Sequence, residues 1–198
     1  MQARLFRAAL FALASALPLW AAAHAGADAG AHHPAGFLDG LVHPLAGPDH
    51  LAAMLAVGCW SALTARRIWL APLAFAAMLL VGALMGLAGL NLPAVEPVIA
   101  ASLLVLGLLV AARTQLPATA AAVLVGAFAI FHGVAHGAEL AGGGNAWLPL
   151  AGMLLATVGL HLAGIGIGHT VRQRNLWWPR VAGGVVTVLG AALLIRMV

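Results

Sequence analysis

The stretch FHGVAHGAEL, Phe131 to Leu140, closes an apolar run that begins near Leu116. On a helix, His136 falls about 40° from His132, and Glu139 about 20° to the other side, so all three share one stripe roughly two turns long. Two imidazoles and a carboxylate on one stripe can hold a metal ion. The plainer alternative is a hydrogen-bonded polar seam between helices. A second polar group stands in HPLAGPDH, His43 to His50, where His43, Asp49 and His50 surround Pro44, Gly47 and Pro48. Its plainer reading is a kinked helix whose Asp49 serves the bare N–H groups at the new helix start. Metal binding is compatible with that role. The positive end of a half-helix repels a cation, so Asp49 would have to offset it.

Weaker candidates accompany these six. Asp39 precedes the proline-rich motif, and Glu96 opens a later apolar run, where it could equally be an ordinary acid of a first helical turn. His161 stands alone deep in an apolar segment, with His169 two turns beyond it. His24, His32 and His33 lie in a stretch rich in Ala and Gly. Imidazole suits zinc, copper, iron and nickel, and carboxylates add a preference for harder divalent ions. The chain has neither a Cys cluster nor a Met-rich motif, which argues against a copper(I) pump, and it has no nucleotide-binding loop. Mixed His and carboxylate ligands that keep some water suit a site that must release its ion better than a closed tetrahedral structural site does.

The elements that must position these residues belong in lipid. Of 198 residues, 64% are hydrophobic and 7% charged, against roughly 25% charged in a soluble domain. Mean hydropathy is +1.06. The nine basic residues are all arginine and scattered, so the high isoelectric point does not signal nucleic-acid binding. The lone Cys59 excludes an internal disulfide. Arg4 and Arg7, the short apolar run Ala8–Leu17, Pro18 and the small residues Ala21–Ala23 form a signal peptide with cleavage expected after Ala23. Residues 24–36 read as a His-rich extracytoplasmic tail, and residues 37–198 as a six-helix transmembrane domain. Apolar runs predict helices at 38–63, 68–90, 95–112, 116–138, 147–170 and 177–197, most near the roughly 20 residues that cross a bilayer. The first must be broken at HPLAGPDH. A helix from Pro48 to Leu63 spans only about 24 Å, so Phe37–Ala46 must enter the membrane region too. Arg66, Arg67, Arg113, Arg172, Arg174 and Arg180 all fall at odd-numbered breaks between spans. The excess of positive charge places those breaks in the cytoplasm, with the tail and C-terminus outside.

HPLAGPDHLAAMLAVG together with FHGVAHGAEL resembles the HupE/UreJ family, bacterial membrane proteins associated with the nickel enzymes hydrogenase and urease. VEPVIAASLLVLGLLVA, Val95 to Ala111, resembles it as well, and the resemblance covers essentially the whole mature chain. It implies secondary transport of nickel, or of cobalt, into the cytoplasm across the bacterial inner membrane. The cation is then a passing cargo, with no permanently bound cofactor and no enzymatic reaction. By the resemblance, His43, Asp49, His50, His132, His136 and Glu139 are motif positions, and Glu96 is one less directly. The separate nickel–cobalt transporter family has four residues between a similar His and Asp; here five intervene, Pro44 to Pro48, so the relation is analogy. The expected partners are the bilayer, a divalent metal ion and a cytoplasmic nickel chaperone, with no nucleic acid. A homo-oligomer is compatible with the sequence. Two alternatives use the same histidines: a metal sensor or metal-handing partner that does not itself transport, and a membrane haem or metal enzyme.

Overall fold

Lipid offers no partner for backbone N–H and C=O groups, so long uncharged runs fold as helices that satisfy those groups internally. The computed structural model describes residues 36–141, 144–173 and 177–197. Seven helices are found among them: α1 Phe37–Ala46, α2 Pro48–Thr64, α3 Leu70–Leu87, α4 Val95–Ala112, α5 Ala118–Leu140, α6 Trp147–Arg172 and α7 Trp177–Arg196. The fold is all-α. Five of these helices, α3 to α7, are long and apolar enough to cross a membrane. The signal segment and most of the tail, including His24, His32 and His33, lie outside the described residues.

The expected break in the first apolar segment falls at Gly47, which is extended (φ −82°, ψ 111°) between α1 and α2. Pro48 explains it. Proline disfavours helical backbone in the residue before it and is well placed as the first residue of a helix. The predicted 95–112 helix is found with both its ends, and other boundaries shift by at most three residues from those predicted. The predicted 68–90 helix stops at Leu87 because Gly89 turns to positive φ (79°), and the Leu90 N–H reaches back to the Met85 carbonyl. The predicted 116–138 helix starts at Ala118 behind Pro117 and runs on to Leu140, which keeps Glu139 on the same helix as His132 and His136.

Chain neighbours are not the principal packing partners. α3 lies against α5, α4 against α7, and α6 against both α1 and α2. Close approaches give the directions. Gly82 meets Ile130 and Gly86 meets Val134, so α3 and α5 run parallel; Gly107 meets Thr187 and Gly190 meets Leu104, so α4 and α7 run antiparallel. Gly40 meets Pro149, Gly58 meets His161 and Gly168 meets Cys59. The broken pair α1–α2 therefore runs parallel to α6 along most of its 26 residues, about 39 Å. α2 is central, and from Ala56 to Leu63 it is buried without interruption. Leu73, Val123, Leu155 and Ile195 face outward, as do Trp69, Trp147, Trp177 and Trp178 near helix ends, where tryptophan anchors to a membrane interface. The α2–α3 and α4–α5 connections share one end of the bundle. There the Trp60 indole N–H donates to the Thr114 carbonyl at 2.8 Å, and a cavity of about 320 Å³ is bordered by Arg66, Arg67 and Gln115.

Two glycines in FHGVAHGAEL set the α3–α5 distance. A Cβ at Gly133 would overlap the Leu79 carbonyl oxygen, and one at Gly137 the Ala83 carbonyl oxygen. Small residues let membrane helices touch through their backbones. Each glycine follows a histidine, so the face beside the two imidazoles is the one that grips α3. Gly133→Ala is expected to cost about 1–3 kcal/mol of stability by overpacking. A methyl group added at Gly159 would have nothing within 4 Å of it, so Gly159→Ala should stay within about 0.5 kcal/mol of the parent or rise slightly. Denaturant unfolding in detergent micelles checks both; equal losses would remove the packing argument.

Candidate metal centre

The helix break delivers polar residues from two helix ends to one place. His43 lies in the last turn of α1, and Asp49 and His50 in the first turn of α2. Opposite them, α5 presents His132 and His136 from its buried face and Glu139 from its final turn. The rings meet edge to face or tilted. Centroids lie 4.8 Å apart for His43 and His136, 4.3 Å for His50 and His136, and 5.0 Å for His50 and His132. All six principal residues proposed from the sequence are thus assembled into one cluster between α1, α2 and α5.

The cluster has an open layer and a closed one. In the open layer, Glu139 Oε2 stands 3.5 Å from His43 Nε2 and 3.6 Å from His136 Nδ1. One ligand atom from each of these three residues fits within a 4.8 Å group. They border a cavity of about 180 Å³ together with Asp39, Pro149 and Met153. The Glu139 side chain is 58% exposed, so this layer reaches the surface. In the closed layer, His50, His132 and His136 are 6%, 0% and 2% exposed. Asp49 Oδ1 lies 2.9 Å from His50 Nδ1, yet the pair lacks the alignment of a hydrogen bond, and both atoms are left unsatisfied. His50 Nε2, His132 Nδ1 and His136 Nε2 are likewise buried without a hydrogen-bond partner. Unpaired buried polar atoms are costly. Imidazole nitrogens and a carboxylate gathered this way match the donor set of a divalent transition-metal ion.

Below the cluster, the Phe75 ring stands 5.7 Å from His132 and 5.2 Å from His161. His161 is buried with its Nε2 unsatisfied, and it shares this apolar ring as a neighbour with His132. Asp39 has a structural role. Its Oδ2 accepts the Gly36 N–H at 2.7 Å, closing the first turn of α1, while the residue also borders the outer cavity. Asp49 lies in the first turn of α2 and brings its carboxylate within 2.9 Å of the His50 ring. Glu96 is exposed in the first turn of α4, and no described contact joins it to the histidines. Two residues near the cluster, Phe75 and Ser102, were not marked by the sequence. Ser102 Oγ is 3.1 Å from His132 Nε2. It is the one polar side chain between Glu96 and Arg113, and that isolation was a usable signal. Phe75, among many apolar residues of α3, offered none.

These helices and this buried cluster define a multi-pass α-helical membrane protein with a histidine–carboxylate centre at one end of its bundle. The chain belongs to the HupE/UreJ family: the family described as HupE / UreJ protein matches residues 11–193. It is also similar to Protein HupE of Rhizobium leguminosarum bv. viciae, at 45% identity over 184 residues, 92% of this chain and 94% of that relative. No solved structure matches it.

The open layer should be measurable by itself. Glu139→Gln is expected to weaken binding of Ni²⁺ to the purified protein by about tenfold, some 1.4 kcal/mol, because the shared oxygen between His43 and His136 loses its charge. His169, exposed in the last turn of α6, is the control, and His169→Gln should leave affinity unchanged. Calorimetric titration in detergent distinguishes the two; a Glu139→Gln protein that binds as the parent does would remove Glu139 from the site.

Proposed function

We propose that this protein is a secondary transporter, without ATPase or other enzymatic activity, that carries Ni²⁺, or Co²⁺, into the cytoplasm for the maturation of hydrogenase or urease. The observation that carries the reading is the set of unsatisfied buried donor atoms on Asp49, His50, His132 and His136 behind an open His43–His136–Glu139 layer. Family membership supports the nickel assignment through the association of these proteins with nickel enzymes. The bilayer, the cation and a cytoplasmic nickel chaperone are the partners of this reading.

The geometry suggests a sequence of events. The hydrated ion meets Asp39, His43 and Glu139 at the outer cavity and exchanges some waters for imidazole and carboxylate. It then passes to Asp49, His50 and His132, where the surroundings are dry. Phe75 separates this position from His161, which receives the ion on the far side. Ligands are spread along a path rather than closed around one point, which favours release over permanent retention.

In this reading α1–α2 counts as a sixth span, since the pair runs beside α6 over most of its length. The signal peptide is removed after Ala23, and the histidines of the tail collect metal outside. The end bearing Arg66, Arg67 and Arg113 faces the cytoplasm, by the excess of positive charge there. A haem enzyme is disfavoured by ring contacts as short as 4.3 Å, which leave no space for a porphyrin between the imidazoles.

Purified protein in liposomes, given radioactive nickel with and without a proton gradient, tests the proposal. Entry into vesicles is expected for the parent, and a loss of at least about tenfold, equivalent to 1.4 kcal/mol, for His132→Ala and for Asp49→Ala with the fold retained. Normal entry by both variants would sink the pathway. Binding without entry by the parent would replace the transporter with a sensor or metal-handing partner.

A further inference from the structure

Ser102 lies in the middle of α4, wholly buried, and makes two short contacts. Its Oγ is 2.6 Å from the Ile99 carbonyl oxygen and 3.1 Å from His132 Nε2. A serine hydroxyl has one hydrogen to donate. A carbonyl oxygen only accepts, so a 2.6 Å approach between the two oxygens requires that hydrogen to lie between them. The hydroxyl is then left as an acceptor toward His132, and His132 Nε2 must carry the proton. In a neutral imidazole only one nitrogen does so. The lone pair therefore resides on Nδ1, the buried nitrogen with no hydrogen-bond partner.

We propose that Ser102 is a positioning residue that holds His132 as its Nε2–H tautomer, so that Nδ1 is the nitrogen offered to the cation. Ser102 itself touches no cation; it acts through His132. The relay runs from the Ile99 carbonyl through the Ser102 hydroxyl to the imidazole, and so anchors a ligand of α5 to the backbone of α4. Metal-binding histidines commonly donate their second ring N–H to such a partner, and loss of that partner typically lowers metal affinity by 10–100-fold. The part concerning the cation rests on the transport reading; the tautomer does not.

The test uses full-length protein with ¹⁵N-labelled histidine, in lipid bilayers and free of metal. Nitrogen chemical shifts distinguish a protonated ring nitrogen from one with a lone pair, and His132→Gln identifies the His132 signals by their loss. The expected result is a protonated Nε2 and a bare Nδ1 in the parent, a mixture of tautomers in Ser102→Ala, and recovery in Ser102→Thr, whose hydroxyl can bond a carbonyl one turn back in a helix. Nickel affinity should fall by about 10–100-fold in Ser102→Ala and return toward the parent value in Ser102→Thr. A protonated Nδ1 in the parent, or an unchanged tautomer in Ser102→Ala, would overturn the proposal. A tautomer that depends on Ser102 in a protein that neither binds nor moves nickel would support the positioning role and overturn the transport reading instead.

Discussion

Buried imidazole nitrogens without protein partners are the constraint around which the rest of this molecule is arranged. His50, His132 and His136 each leave at least one such atom in the interior. Protein mutational data put the penalty for an unpaired buried polar group at about 1–3 kcal/mol. The surroundings must supply enough apolar packing to tolerate that cost when no cation is present. Met54, Val57, Phe75, Leu79, Leu103 and Leu106 do so, all fully buried. The glycines of α5 bring α3 into backbone contact on the adjoining face, so the segment that carries two imidazoles is held from the side next to them. Packing of that kind keeps the rings from reorienting to satisfy one another and leaves their lone pairs available.

The same constraint explains why a helix is broken in the middle of a membrane protein. A continuous helix places residues six or seven apart at nearly two turns' distance along the axis. The break at Gly47 and Pro48 lets His43, from the end of one helix, approach His136, while Asp49 and His50 begin the next helix opposite His132. Backbone freed by such a break is stable at depth only when protein shields it. Here α6 provides the shield, a single unbroken helix that lies against both halves. α4 adds a brace from another side through Ser102 and His132. The centre therefore draws on five helices besides α5, although its donor atoms come from only α1, α2 and α5.

Exposure changes along the cluster. Glu139 and His43 meet solvent, and the inner imidazoles do not. Hydrated divalent ions lose water reluctantly, and under the proposed function Glu139 at the open layer and Asp49 beside the inner imidazoles spread dehydration over several small steps. The Phe75 ring, which offers no lone pair, touches both His132 and His161. Under the proposed function, ligands spread inward from an exposed layer to a buried one suit passage rather than storage.

Much of this was legible in the primary structure. Apolar runs announced the helices, Gly47-Pro48 announced the break, and the 3.6-residue period alone aligned His132, His136 and Glu139, because each of these signals is local. The sequence left Asp49 with two compatible roles, and helix packing adds a third feature, its close contact with the His50 ring. It also put Glu96 beside the other candidates, whereas the fold leaves it exposed at the start of α4. Phe75 and Ser102 acquire meaning only through contacts between residues 30 or more positions apart, on different helices. The sequence by itself determined which segments become helices, where one breaks, and which donor types share a face. Tertiary structure alone decided which faces meet, which lone pairs are left bare, and which nitrogen of His132 is free, because those depend on how close-packed helices approach one another and not on the order of residues within any one of them.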